Sequence, residues 1–164
     1  MKRVSFLLFA IACLFVAHSC FAEDEAKAAF LKRIENAYLK SELDTVIEMT
    51  CWDGVAAEEK TKAIKRYKQE IALKATKVEL LGKDAADWED WEENNILHTY
   101  NATVLHTLVV HLEPGSKIQL NLGEVSVKDL RIPVGLANGK LCLLRGIEKP
   151  GQAEIDRTTI KPDG

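Results

Sequence analysis

The sequence predicts an α+β domain with N-terminal helices packed on one face of a mostly antiparallel sheet. Apolar residues recur at helical spacing up to about residue 75, and from Lys77 onward they alternate. The alternating stretches are joined by the turn dipeptides Pro114-Gly115 and Asn138-Gly139. Helices first and strands afterwards is the order of an α+β domain, in which one sheet face is covered by the helices.

Phe30, Ile34, Ala37 and Tyr38 fall on one helical face, which predicts a first helix from about Asp24 to Lys40. Ser41 followed by Asp44 resembles a capping box and opens a short second helix carrying Leu43, Val46, Ile47 and Met49, which Cys51-Trp52-Asp53-Gly54 breaks. A third helix starts near Ala56 or Ala57, places Glu58 and Glu59 in its positive first turn, buries Ile64, Tyr67 and Ile71, and fades near Ala75. Val78 to Leu80 reads as a short strand, and Asp84 to Asn95 as an acidic, Trp-bearing connection. From His98 to Leu112 the alternation is strict, with Tyr100, Ala102, Val104, His106, Leu108, Val110 and Leu112 on one face. Ile118, Leu120 and Leu122 line the next strand. Val125 and Val127 hold odd positions and Leu130 to Leu136 even ones, a slip that implies a turn or bulge near Lys128-Asp129. Asn138-Gly139 predicts a tight hairpin, and 152–164 reads as a polar tail.

The 164 residues are 47% hydrophobic and 29% charged, which excludes a disordered, collagenous or multi-span membrane chain and suits one domain. A net charge of −3 gives no reason to expect nucleic acid as a partner. The first 22 residues have the three regions of a secretory signal: Lys2-Arg3, an apolar run from Val4 to Ala17, and small residues at Cys20 and Ala22. Cleavage is expected after Ala22, giving a secreted or periplasmic protein. The apolar run is too short for a membrane span, and Ala17-His18-Ser19-Cys20 matches the lipobox of a lipoprotein poorly because of His18. The domain is then 23–150, and its remaining cysteines, Cys51 and Cys142, could form one disulfide or stay as buried thiols. No Cys-x-x-Cys and no paired His at helical spacing suggests a metal, and no cofactor is expected.

Ala37 to Asp44 leading to Cys51-Trp52-Asp53-Gly54-Val55, and Ile132-Pro133-Val134 leading to Asn138-Gly139-Lys140-Leu141-Cys142-Leu143, resemble the NTF2-like superfamily over most of 24–147. The resemblance implies a cone in which a curved sheet and the helices enclose a pocket, and many such proteins dimerise through the outer sheet face. This chain carries Leu141 where the family usually has Trp or Tyr, and lacks the Tyr/Asp and His/Asp signatures of its isomerase and dehydratase members. No reaction follows from the fold itself.

A two-residue turn at Asn138-Gly139 sets Val134 against Leu143 and Ile132 against Arg145, so Arg145 shares an apolar face with Leu136, Leu141, Val134 and Leu143. A guanidinium there must be paired or solvated, and suits a planar carboxylate. His106, on an apolar strand face with Tyr100, could act as acid, base or hydrogen-bond donor. Asp53 is either a pocket carboxylate or an ordinary turn residue, and Arg145 could instead pair with Asp53, Glu113 or Glu148 at the rim. These residues make Arg145, His106, Asp53 and Tyr100 the candidates for a small anionic or polar ligand. Residues 60–77 hold seven cations against Glu70, and 79–93 seven carboxylates against Lys83, two segments that partly neutralise each other or form solvated faces. Asn101-Ala102-Thr103 is a formal glycosylation sequon that matters only in a eukaryotic secretory pathway.

The expected function is an exported, non-catalytic module that binds a ligand or a protein. The alternatives are a lyase or isomerase with His106 or Asp53 as base and Arg145 on an anionic group, and an envelope-associated partner using the basic third helix.

Overall fold

The computed structural model describes residues 24–93, 96–120 and 123–149; the signal segment, Leu122 and the tail from 151 lie outside them. Three helices pack on a strongly curled antiparallel sheet, the α+β arrangement that the residue pattern predicts. The helices are α1 (24–39), α2 (Leu43–Glu48) and α3 (Ala57–Ile71). The strands are β1 (Ala75–Gly82), β2 (Trp91–Glu93), β3 (Ile96–Tyr100), β4 (Val104–Leu112), β5 (Lys117–Leu120), β6 (Gly123–Ser126), β7 (Asp129–Ala137), β8 (Lys140–Leu143) and β9 (Gly146–Glu148). They form a main sheet in the order β1-β4-β7-β8, a second sheet β2-β3-β9 and the hairpin β5-β6. Among the described residues no helix is long and apolar enough to cross a membrane.

Phe30, Ile34, Ala37 and Tyr38 are all buried, so α1 presents the expected stripe. The capping box at Ser41 does not form. Ser41 has φ 57° and closes α1, the Glu42 amide reaches back to the Ala37 carbonyl at 2.8 Å, and Glu42 is the residue preceding α2. That backward bond over five residues, with a left-handed residue inside it, is a helix-ending device that places Ser41 outside any N-cap geometry. Helix α3 stops at Ile71, and its buried stripe is Ala63, Tyr67, Glu70 and Ile71, leaving Ile64 half-buried. The stripe meets the inner face of the main sheet, where Val78, Leu108, Val110, Leu112, Leu130, Ile132, Val134 and Leu143 complete one core.

The stretch from His98 to Leu112 is not one strand with one face. It breaks at 101–103, and a bulge between Val104 and His106 sets two β4 residues against one step of β7, from Gly135 to Val134. An extra residue reverses the alternation. His106, Leu108 and Val110 therefore lie in the inner rows, while Tyr100, Ala102 and Val104 pack in a separate small core with Cys51, Cys142 and Leu144. The hairpin at Asn138-Gly139 forms as expected, with φ of 52° and 73° and the register Ala137–Lys140 through Val134–Leu143. Leu136, placed in the apolar row, is 50% exposed at the hairpin tip.

The break at 101–103 passes directly over Gly135. A Cβ at that position would strike the Thr103 carbonyl oxygen and lie 2.9 Å from Leu144 Cδ1. Overpacking of this kind costs about 1–3 kcal/mol. Gly135→Ala should lower the midpoint of chemical denaturation accordingly, without a change in the slope.

Candidate functional site

Leu141 and Leu143 project into the main core, and Arg145 follows them beyond the end of β8. Its guanidinium carbon lies 5.5 Å from the centre of the Tyr67 ring. Its backbone is held on both sides by Asn101, whose amide donates to the Arg145 carbonyl at 3.0 Å and whose Oδ1 accepts from the Arg145 amide at 3.0 Å. Arg145 is half-buried, and among the described residues no carboxylate pairs with it, neither Asp53, Glu113 nor Glu148. The pairing of Ile132 with Arg145 expected from the turn is not in the register, which ends at Val134–Leu143; Asn101 takes up the Arg145 backbone instead, and an aromatic ring stands against the guanidinium in place of an acid.

Two phenols accompany the guanidinium. The Thr50 hydroxyl bonds to the Val46 carbonyl at 2.8 Å and to the Tyr67 hydroxyl at 3.3 Å. One hydroxyl carries one proton, so with Thr50 donating to the carbonyl, Tyr67 is the donor to Thr50. Burial raises the Tyr67 pKa, and the charge of Arg145 opposes the rise. Tyr38 is 2% exposed and its hydroxyl has no hydrogen-bond partner among the described residues. Burial, then the Glu70 carboxylate, holds its ionisation well above the ordinary phenol range, with Arg66 and Arg145 acting in the other direction. Glu70, itself buried, accepts from Arg66 Nε at 2.6 Å. A buried hydroxyl without a partner is costly unless something polar meets it.

The other candidates lie on different elements. His106 lies in the row Gly82–His106–Val134–Leu143, with Arg145 two residues past the end of that row. Tyr100, on the second sheet, pairs with Gly146 next to Arg145; burial raises its pKa and the Arg145 charge opposes the rise. Asp53 is exposed in the turn that follows α2 and serves local geometry: its Oδ2 accepts from the Cys51 thiol at 3.7 Å and its carbonyl accepts from Asn101 Nδ2 at 3.2 Å. Cys51 and Cys142 are both free thiols, so the bridge considered from the sequence is not closed, yet the two side chains adjoin in the small core. Desolvation, then the neighbouring Cys51 thiol, pushes Cys142 up to about 11. The Thr-bearing outer face of β4 is partly covered by the chain itself, since Thr107 is fully buried and accepts from Trp88 Nε1 at 2.7 Å.

Tyr38 and Tyr67 read as core residues from spacing alone. The signal overlooked is that a Tyr on a buried stripe carries a hydroxyl that needs a partner. Asn101 read only as a sequon, although it is the amide that fastens Arg145. Among the described residues no group of His, Cys, Asp or Glu side chains could hold a metal. No family model, curated protein or solved structure matches the chain.

Proposed function

We propose that this chain is an exported, non-catalytic binding module of NTF2-like type that takes a small carboxylate at Arg145. The observation that carries the reading is the half-buried guanidinium against Tyr67, without an acidic partner, within electrostatic reach of the unpartnered Tyr38 hydroxyl. Arg offers a carboxylate two parallel donors, and a phenol adds a third from the side. The curled sheet under three helices supports the NTF2-like kinship, and the segment ending at Ala22 supports export.

A panel of carboxylates, from acetate to benzoate and succinate, should raise the melting temperature of the full-length chain. A ligand at 100 times its Kd stabilises by about 2.7 kcal/mol. Arg145→Ala should abolish the shift and Arg145→Lys should keep part of it. If no carboxylate shifts the wild type at millimolar concentration, or if Arg145→Ala responds as the wild type does, the reading fails.

A further inference from the structure

On the opposite side of the main sheet from the helices, the connection between β1 and β2 leaves a cleft of about 490 Å³ that no candidate above except Tyr100 touches. Its aromatic walls are Trp88 and Tyr100, an edge-to-face pair with ring centroids 5.7 Å apart and planes at 87°, which leaves a right-angled corner between them. Both rings are tied to the fold. Trp88 Nε1 donates to the buried Thr107 hydroxyl at 2.7 Å, and Tyr100 is backed by Trp91 at 5.2 Å, which itself stacks on His98 at 5.3 Å. Around it stand Asp84, Asp87, Glu89 and Asp90. Lys83 also lines the cleft, and Lys149 binds Asp90 at 2.6 Å. Asp84, Asp87 and Glu89 form no ion pair among the described residues, so the acidic side prevails.

Carboxylates alone would only describe a solvated rim. Held aromatic faces next to them select for a cation that is weakly hydrated and large enough to touch both rings. We infer that this cleft binds a small organic ammonium ion, with Trp88 and Tyr100 as its walls and Asp84 and Asp87 as its counter-charge. The inference uses residues apart from Arg145 and does not depend on the carboxylate reading.

Titration calorimetry of the full-length chain with choline and with its uncharged carbon isostere, 3,3-dimethylbutanol, tests it. Choline should bind and the isostere should bind at least about tenfold more weakly, the scale of a desolvated cation–aromatic contact. Trp88→Leu should remove binding. Because Trp88 also anchors Thr107, the exposed pair Asp84→Asn and Asp87→Asn provides a variant that keeps the fold; it should weaken choline several-fold, with the loss shrinking at high salt. Equal binding of choline and isostere would make the cleft merely apolar, and no binding of choline at millimolar concentration would overturn the site. Unchanged affinity in the Asn pair would remove Asp84 and Asp87 from it.

Discussion

Incubation with oxidised glutathione should convert the reduced protein to a form about 2 Da lighter, with Cys51 and Cys142 joined and no longer open to alkylation. The two thiols give up two protons and two electrons, and glutathione disulfide leaves as two thiols. The geometry for this is built by the backbone: the Cys51 amide donates to the Leu143 carbonyl at 2.9 Å, the Leu143 amide to the Met49 carbonyl at 2.8 Å, and Thr50 bridges Leu143 in parallel. Both sulfurs are then buried in the same small core. Because the bridge would close most of the domain into a loop, the chain-entropy contribution is about 4–5 kcal/mol. The melting temperature of the oxidised form should accordingly lie about 10 °C or more above that of the reduced form. The reaction should be slow at neutral pH wherever Cys142 must attack, since its pKa of about 11 leaves little thiolate, and should quicken as pH rises towards that value. Full alkylation of both cysteines after prolonged oxidation, or a bridged form no more stable than the reduced one, would contradict this.

Asn101→Asp should destabilise the domain by about 1–3 kcal/mol although it changes one atom group, because the half-buried Cys51 carbonyl loses its donor. Asn101 Nδ2 donates to the Cys51 carbonyl at 3.0 Å and to the Asp53 carbonyl at 3.2 Å, while Oδ1 and the backbone amide hold Arg145. A carboxylate keeps the acceptor towards Arg145 but turns two attractive contacts into repulsive ones. Asn101→Ala should cost a similar amount by leaving all three side-chain partners unpaired. Urea denaturation measures both; a variant within about 0.5 kcal/mol of the wild type would show that water replaces the amide at no cost. The same bonds leave the side chain of the sequon occupied in the folded protein, so glycosylation at Asn101 is expected to stay absent after folding.

The helices and the Asn138-Gly139 hairpin were legible because each rests on local periodicity or a single turn. A two-residue turn fixes every facing pair up to the strand's end, which comes at Leu143, and Arg145 lies beyond the reach of that counting. What the residues concealed was the bulge at Val104–His106. Alternation continues without interruption through it in the sequence, and only the pairing with Gly135 and Val134 reveals that Val104 and His106 face opposite ways. The small core around the cysteines was hidden for the same reason, since it joins Cys51 to Tyr100 and Cys142 across long separations. The Ser41 capping box failed because a second helix end competed for the same residue. Trp88 read as part of an acidic connection, and its role depends on Thr107, nineteen residues away.

The parallel bridge between Thr50 and Leu143 also governs the order in which the molecule can be completed. The helical third leaves the ribosome with its apolar stripe uncovered, and the strand that locks it is the last of the main sheet to be made. Such distant pairings raise contact order and slow folding. A nascent chain of this kind cannot complete its main core before β8 has been synthesised.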